Sequence, residues 1–441
     1  MIPKATSITL LLFIAALKCS AQGPWTLKQC IAYGLANHRN NKIYANQKIA
    51  ADAKAKEMLA DYLPKVSVAS TLDNNLKLQQ SVIPAGIFGP DELKVSFTQK
   101  FNSNAFGQLD QVIYDKALLT GLKANKYYAQ QADLNIAQSQ EAIIYNISTA
   151  YFQILIYTQQ LELLAYNKEA YEKQIVIYQL RVNKGVALQK DLDKVMVDYN
   201  NSISQARVAS GNLKLAENEL KYEMGYAIDQ PLAVQVLTKI EMPGDSSTTF
   251  SPSSRIDYKL SQLDIKLLQV DQSRIKAEGL PKLNAYFRYG ANGFGNNITG
   301  AYNDLLPYSA AGLKLSIPVF DFYKRNARYK QAEIKRMNAE ENLKLNEGKY
   351  RVEYDNTRTK LLQAEVNVEN DQRTIELAQS VFKVTDLQFQ KGTTDLTDWL
   401  NTQHSLKEAQ TAYLNSLYTY YKARIDLEKA AGSLKAFYRS L

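Results

Sequence analysis

Few side chains in this sequence could do bond chemistry, and those few do not form a catalytic set. The two histidines, His38 and His404, are isolated from other candidate ligands, and Cys30 is the only cysteine after the first 21 residues. A structural zinc site needs about four clustered ligands, and nucleophilic catalysis needs a nucleophile beside a base. The sequence therefore gives no indication of an enzyme, a metal centre, a cofactor or a disulfide.

The carboxylates that stand out follow two Lys-Gly pairs. Asp395 and Asp398 come shortly after Gly392, and Asp191 has the position after Gly185 that Asp398 has after Gly392. Asp395 can be a helix N-cap or first-turn residue, which acidic side chains favour. Asp191 can either pair with a nearby basic residue or remain a solvated charge. Which role applies depends on the elements that carry these two turns. The basic residues within reach of Asp191 are Arg181, Lys190 and Lys194.

The two Lys-Gly segments belong to an internal repeat. Three short motifs occur twice in the same order, with the second copy 206 to 217 residues after the first. Such self-similarity indicates a duplicated unit. The pairs are Lys184-Gly185 with Lys391-Gly392, Val112-Ile113-Tyr114-Asp115 with Pro318-Val319-Phe320-Asp321, and Leu63-Pro64-Lys65 with Leu280-Pro281-Lys282.

Most of each repeat is predicted to be helical. No proline lies between Pro90 and Pro231 or after Pro318, and proline breaks helix interiors. Apolar residues in these stretches recur every three or four positions, which is typical of amphipathic helices. Glycine commonly follows a helix C-terminus, so each Lys-Gly pair is predicted to be the turn of a helical hairpin. The predicted helices run from about Leu27 to Ala60, Lys116 to Val182, Ser254 to Glu278 and Tyr323 to Gln390, with the second hairpin helices beginning near Gln189 and Thr394.

Between each Leu-Pro-Lys motif and the following long helix, apolar and polar residues alternate. In the first half one strand is clear from Val66 to Asp73, and a second lies within 94–113, marked by Val95, Phe97 and Leu109. Alternation over about ten residues fits a strand with one face in lipid and one in water, and it also fits a half-buried strand of a soluble protein. The residues interpreted as lipid-facing are Leu283, Ala285, Phe287, Tyr289, Leu313, Leu315 and Ile317.

The first 21 residues have the pattern of a signal peptide. Lys4 precedes an apolar stretch from Ile8 to Leu17, and small residues follow near the predicted cleavage site. Lys18 disfavours lipid modification of Cys19. The net charge of +9 is spread along the helices without a basic block, which disfavours nucleic-acid binding. The predicted domains are a signal peptide (1–21), a first repeat (22–228), a linker (229–253) and a second repeat (254–441).

This arrangement resembles the TolC-like outer-membrane efflux protein family over the whole mature chain. Trp25 to His38 is similar to the opening helix of that family. Leu63-Pro64 and Leu280-Pro281 resemble its helix-to-strand junctions, and the segment from Pro318 to Asp321 resembles its strand-to-helix junction. The resemblance implies an internally duplicated α+β membrane protein. It also implies a homotrimer with one outer-membrane β-barrel, four strands per chain, continued through the periplasm by long helices.

The resemblance also implies a function. The protein would be a passive exit duct for an efflux or type I secretion system. Its partners would be outer-membrane lipid, a periplasmic adaptor protein and an inner-membrane transporter of RND or ABC type. In the family, carboxylates line the periplasmic aperture at two positions after the second glycine, which here are Asp398 and, as a departure, Asn401. Three copies of Asp398 would form a ring that favours cations.

Four further expectations concern the two hairpin tips. Asp395 would supply a second acidic ring, and Asp191 is the equivalent of Asp398 in the first repeat. The basic residue that locks some family members shut falls on Thr394. The expected adaptor-contact residues at the two hairpin tips are Lys184, Gly185, Val186, Ala187, Lys391, Gly392, Thr393 and Thr394.

An exported structural protein without a pore, such as a coiled-coil adaptor or an adhesin, is the alternative function. Such a protein accounts for the long helices and the glycine turns. It does not account for paired alternating segments at matching places in both halves. The transported substrate and the pump family are not defined by the sequence, because selection takes place in the pump.

Overall fold

The computed structural model describes residues 23–236 and 250–441. The predicted signal peptide and residues 237–249 of the predicted linker lie outside the described residues. The chain divides into two compact units. The first comprises the described residues up to Gln47 together with those of Asp133–Ser261 and Asn342–Leu441, and the second comprises Lys48–Ala132 and Gln262–Glu341. Each unit therefore contains segments of both predicted repeats.

The helices are long, as the spacing of apolar residues predicts. Within the described residues none is long and apolar enough to cross a membrane. The first helix begins with a capping box, in which the Thr26 hydroxyl accepts from the backbone N–H of Gln29 and the Gln29 side chain accepts from that of Thr26. The principal helices are α1 (Leu27–Asn37), α2 (Arg39–Ala60), α3 (Lys116–Gly121), α4 (Ala124–Asn183), α5 (Gln189–Met224), α6 (Ile256–Ala277), α7 (Gly300–Asn303), α8 (Lys324–Gln390), α9 (Leu396–Ala431) and α10 (Leu434–Ser440).

Two predicted helices are each divided in the structure. The helix predicted from Leu27 to Ala60 is broken at His38, whose backbone is extended (φ −62°, ψ 130°). The helix predicted from Lys116 to Val182 is broken just after Gly121, since α3 ends there and α4 begins at Ala124. Glycine weakens a helix interior because it has more backbone freedom to lose. Both breaks lie close to a strand or a chain terminus and leave the hairpin helices α4 and α8 continuous.

The second unit contains a four-stranded antiparallel sheet. Its strand order is β1-β4-β5-β6, so the two central strands come one from each repeat and pair with each other. The short strands β2 and β3 form a separate pair. The strands are β1 (Lys65–Asn74), β2 (Ser81–Ile83), β3 (Leu93–Val95), β4 (Phe101–Tyr114), β5 (Lys282–Gly295) and β6 (Leu305–Ser316).

The structure corrects the second strand of the first half. That strand is β4, which contains Leu109, one of the three residues taken to mark it. Val95 lies instead in β3, and Phe97 lies in no strand. Turn residues and exposed apolar residues are mixed between β2 and β4, so alternation alone does not separate the short hairpin from the long strand.

Three apolar clusters stabilise the helices of the first unit, and two of them include residues of the long hairpin helix α4. The larger of these two contains Ile147, Phe152 and Leu220 among its buried members and joins α1, α4, α5 and α9. The smaller of the two, referred to below as the tip cluster, lies near the hairpin turns. The tip cluster consists of Tyr171, Tyr178, Leu192, Val195, Phe389, Leu396, Trp399 and Leu400.

Candidate functional site: the hairpin tips and the two-faced sheet

Both hairpin turns have the same backbone geometry. At the first, the N–H of Val186 donates to the Arg181 carbonyl at 3.0 Å and the N–H of Gly185 donates to that of Val182 at 2.9 Å. At the second, Thr393 and Gly392 make the equivalent bonds at 2.9 and 3.1 Å. This pattern is a Schellman motif, which needs a left-handed residue after the helix. Gly185 and Gly392 supply it with φ values of 72° and 76°.

The helices that follow the two turns start differently. The side chain of Asp395 caps α9 by accepting from the backbone N–H of Asp398 at 2.9 Å. The Thr394 hydroxyl donates to the Asp398 carboxylate at 2.9 Å. In contrast, α5 begins after Leu188 without a side-chain cap. The second tip is therefore the more strongly hydrogen-bonded of the two, and Thr394 stabilises the carboxylate of Asp398.

The acidic residues predicted for the aperture are accessible in the single chain. Asp398, Asp395 and Asn401 are exposed. Asp191 is less exposed and makes an ion pair with Lys194 at 3.8 Å on the same helix. Of the basic partners proposed for Asp191, the structure thus shows Lys194. The eight residues expected at the tips lie in the two turns or next to them, and most of them are exposed.

An aromatic layer beneath the turns joins the two hairpins. Tyr178 of α4 stacks on Phe389 of α8, with 6.2 Å between ring centroids and 7° between ring planes. The guanidinium of Arg181 lies over both rings, at 5.4 and 5.9 Å from their centroids. Trp399 is 1% exposed and donates its indole N–H to the Asp386 carboxylate at 2.8 Å. These ring contacts pack the ends of the helices next to the two turns against each other and so fix the positions of both turns.

One face of the four-stranded sheet is largely apolar and exposed. Val66, Leu109 and Phe287 lie opposite one another in neighbouring strands, and their side chains are 75%, 38% and 48% exposed. Tyr289, Leu313 and Leu315 lie on the same face and are also exposed. Leu283 and Ala285 are half-buried. Ile317 is exposed but lies one residue beyond the end of β6.

The opposite face of the sheet carries a polar network. Arg288 donates to the side-chain oxygen of Gln108 at 2.8 Å, and the Gln108 amide donates to Asp110 at 2.8 Å. Further along, the Asn104 amide donates to the side-chain oxygen of Asn292 and to the Tyr308 hydroxyl. The alternation of residues along the strands did not by itself predict this network. Its signal was present in the polar residues that alternate with the apolar ones of β5.

An ion pair links the start of β5 to the end of β4, where the chain enters α3. Lys282, the first residue of β5, lies 2.9 Å from the carboxylate of Asp115, which follows β4 and caps α3. Burial raises the pKa of Asp115, but the Lys282 ammonium and the backbone N–H of Leu118 outweigh that effect. The net pKa of Asp115 is below its ordinary value. Asp115 is therefore held in its charged form at this junction.

Comparison with known proteins places this fold and these features in one class. Residues 262–433 match the family model described as outer membrane efflux protein. The chain is 25% identical to the outer membrane protein TolC of Escherichia coli (strain K12) over 350 residues, which cover 76% of this chain and 70% of TolC. It is 21% identical over 337 residues to the alkaline protease secretion protein AprF of Pseudomonas aeruginosa, covering 74% of this chain and 69% of AprF.

The same fold occurs in a solved outer membrane channel. The crystal structure of CmeC from Campylobacter jejuni has a TM-score of 0.75 to this chain with 16% sequence identity, over 92% of this chain and 85% of CmeC. This likeness shows the fold of the chain, which contains a sheet with one apolar face and long helical hairpins.

The family model, the TolC relatives and the solved channels together support a TolC-like outer membrane factor. The chain is an outer-membrane protein with a periplasmic extension, and it serves as an exit duct in efflux or secretion. Proteins of this family are transport ducts rather than enzymes.

Proposed function

We propose that three copies of this chain form one duct, in which each copy contributes four strands to a closed barrel and two helical hairpins to a periplasmic tunnel. The duct passively conducts substrates that an inner-membrane transporter of RND or ABC type delivers through a periplasmic adaptor. The hairpin tips meet the adaptor, and the exposed apolar face of the sheet contacts outer-membrane lipid.

The observation that carries this proposal is the combination of an apolar exposed face with two free sheet edges. Within the described residues, β1 and β6 each have one hydrogen-bonded neighbour in the sheet. An open edge in lipid leaves backbone N–H and C=O groups unpaired, at a cost of several kcal/mol for each group. Pairing the β6 edge of one copy with the β1 edge of the next satisfies both edges and closes the barrel.

The aperture of the duct is assigned to the second hairpin tip. Asp398 is exposed, and three copies of it form a ring of like charge that attracts cations. Asn401 adds a polar, uncharged ring where the resemblance to the efflux-protein family implies a second carboxylate. Asp395 acts mainly as the cap of α9, because its side chain accepts from the backbone of Asp398. Asp191 is paired with Lys194 on its own helix.

Membrane fractionation distinguishes the duct from an exported adhesin or coiled-coil adaptor without a pore. The duct is expected in the outer-membrane fraction, extracted by mild detergent as a complex three times the mass of one chain. The mass of the extracted complex is measured by light scattering coupled to gel filtration. A protein that is released from the periplasm without detergent, or that remains monomeric after extraction, contradicts the proposal.

A further inference from the structure

The internal repeat provides a template for a contact that one chain cannot make alone. Each repeat contains a strand entry, which is its Leu-Pro-Lys motif, and a strand exit, which is the aspartate that opens the long helix. In the structure the exit of the first repeat meets the entry of the second. There β4 pairs with β5, and Asp115 lies 2.9 Å from Lys282.

The other entry and exit have no such partner in the described residues. Lys65 is the entry equivalent to Lys282, and Asp321 is the exit equivalent to Asp115. Lys65 lies on the edge strand β1 and pairs locally with Asp61 at 2.9 Å, both side chains being about 60% exposed. Asp321 follows the edge strand β6 and pairs locally with Arg325 at 3.7 Å. Both residues therefore form ion pairs within one helical turn instead of across strands.

The apolar side chains before the second exit are more exposed than those before the first. Ile113 and Tyr114, before Asp115, are 46% and 42% exposed. The equivalent Val319 and Phe320, before Asp321, are 88% and 66% exposed. Tyr114 ends β4 and lies opposite Leu283 of β5, whereas Val319 and Phe320 lie beyond the end of β6 and belong to no strand. Apolar side chains this exposed mark an interaction surface.

We propose that β6 of one copy pairs with β1 of a second copy of this chain in the register that β4 and β5 adopt within the chain, with Asp321 bound to Lys65 of the partner subunit. This inference rests on the proposed trimeric duct and specifies its joint. The partner is a second copy because it alone presents the entry motif that the repeat matches to this exit. Charge complementarity agrees, since the lysine meets the aspartate as Lys282 meets Asp115.

The template fixes the register residue by residue. Asp110 lies opposite Tyr286 in the β4·β5 pair. Carrying each residue to its repeat equivalent places Ser316 opposite Ala69 of the partner subunit. Both residues are on the face of the sheet that carries the polar network, because Asp110 and Tyr286 are on that face. Residues directly opposite in an antiparallel pair have Cα atoms about 4.5–5.5 Å apart, which a disulfide can span.

Cysteine cross-linking tests this register. The Ala69→Cys/Ser316→Cys variant is expected to form disulfide-linked dimers and trimers under mild oxidation, while each single variant gives at most dimers of low yield. The matched control is Thr71→Cys/Ser316→Cys, which moves one cysteine two residues along the same face. Its Cα separation is then above about 7 Å, where disulfides do not form without backbone movement. The native Cys30 is fully buried and remains in all variants.

Three results of cross-linking are distinguishable. Linked trimers from Ala69→Cys/Ser316→Cys, at least about tenfold above the Thr71 control, support the proposed register. Preferential linking of the Thr71 control, or no linking of either pair in a protein that light scattering shows to be a trimer, overturns the joint and leaves the duct proposal standing. A wild-type protein that is monomeric after extraction overturns both proposals.

A double-mutant cycle tests the ion pair separately from the register. Lys65→Gln and Asp321→Asn are each expected to lower the temperature at which the trimer dissociates in detergent, and the double variant is expected to lose less than the sum of the two single losses. Each substitution also removes a local ion pair, but those losses add and cancel in the cycle. Strictly additive effects of the two substitutions overturn the Asp321–Lys65 contact.

Discussion

At the scale of single residues, the carboxylates of this chain have different roles that their surroundings set. Asp395 accepts a hydrogen bond from the backbone of α9, and Asp191 forms an ion pair with a lysine of its own helix. Asp115 forms an ion pair with the first residue of the neighbouring strand β5. Asp398 accepts from the Thr394 hydroxyl and is exposed. Of the four, Asp398 is therefore the one whose negative charge is free to act on ions at the proposed aperture.

Removing that charge should change how the channel handles cations. Asp398→Ala is expected to weaken block by a trivalent cation by about tenfold or more, since three charges are lost from one ring. The measurement is single-channel current in a planar bilayer with increasing cation concentration. Asp355→Ala removes one exposed carboxylate of α8 and should leave block unchanged. Equal block of the wild-type and Asp398→Ala channels excludes Asp398 from the aperture.

The lowered pKa of Asp115 predicts a pH dependence of stability. A carboxyl whose pKa is lower in the folded than in the unfolded state stabilises the fold above its unfolded pKa of about 3.9, and that contribution is lost as pH falls through the folded pKa. Asp115→Asn keeps an N-cap residue but removes the charge that binds Lys282. The variant should be less stable than wild type by about 1 kcal/mol at pH 7.

The difference between wild type and Asp115→Asn should disappear in strong acid. Unfolding of the detergent-solubilised protein is followed between neutral pH and about pH 2, below both pKa values. Glu57→Gln, which removes an exposed carboxylate paired with Lys54 at 2.8 Å, is the control and should have little effect. A constant difference between wild type and Asp115→Asn at every pH contradicts the role given to the Asp115 charge.

At the scale of elements, the two Schellman turns are the part of the molecule most open to change without loss of packing. A Cβ at Gly185 or Gly392 would meet no atom within 4 Å, so the demand for glycine comes from the positive φ. Side chains at these positions would project from the tips. Substitutions there should thus alter docking to the adaptor more than they alter the packing of the protein.

A charged side chain at the second tip should block assembly with the adaptor. Gly392→Glu is expected to reduce adaptor co-purification about tenfold or more, while the strain of a left-handed residue costs only about 1 kcal/mol of stability. Gly348→Glu places the same side chain on an exposed, open position of α8 and is the matched control. Gly392→Asn tolerates positive φ and separates backbone strain from bulk and charge. Normal transport by a well-expressed Gly392→Glu variant contradicts the contact.

The hairpin helices and the strand entries were predictable because they depend on residues that are close in sequence, namely regularly spaced apolar residues, glycine turns and the Leu-Pro-Lys motifs. The spacing of apolar residues predicted α8 to within one residue, from Tyr323 to Gln390 against the observed Lys324–Gln390. The break at His38 was not predicted, and β4 was predicted only as a strand somewhere within 94–113, because the exact bounds depend on packing and not on the local spacing of residues. The same holds for the tip cluster. Tyr178 and Phe389 are more than 200 residues apart in sequence, and their stacking depends on how the two hairpins meet.

At the scale of the whole molecule, the duplication places one strand of each repeat at an edge of the sheet. The join between the two repeats is made once inside the chain, by β4 and β5, and the free edges β1 and β6 repeat its chemistry at the two sides of the sheet. A protein built this way is incomplete as a monomer in lipid. Its stability is expected to depend on assembly, so trimer dissociation and loss of the sheet should occur together.

The central claim is that this chain forms a conducting duct, and single-channel recording tests it most directly. Purified wild-type protein added to a planar bilayer should give discrete, uniform steps of current, with cations more permeant than anions because of the acidic ring proposed for the aperture. The step size should be the same for every insertion, since each duct contains the same number of chains. Protein that fractionates with the outer membrane as a trimer yet produces no current steps would contradict the account.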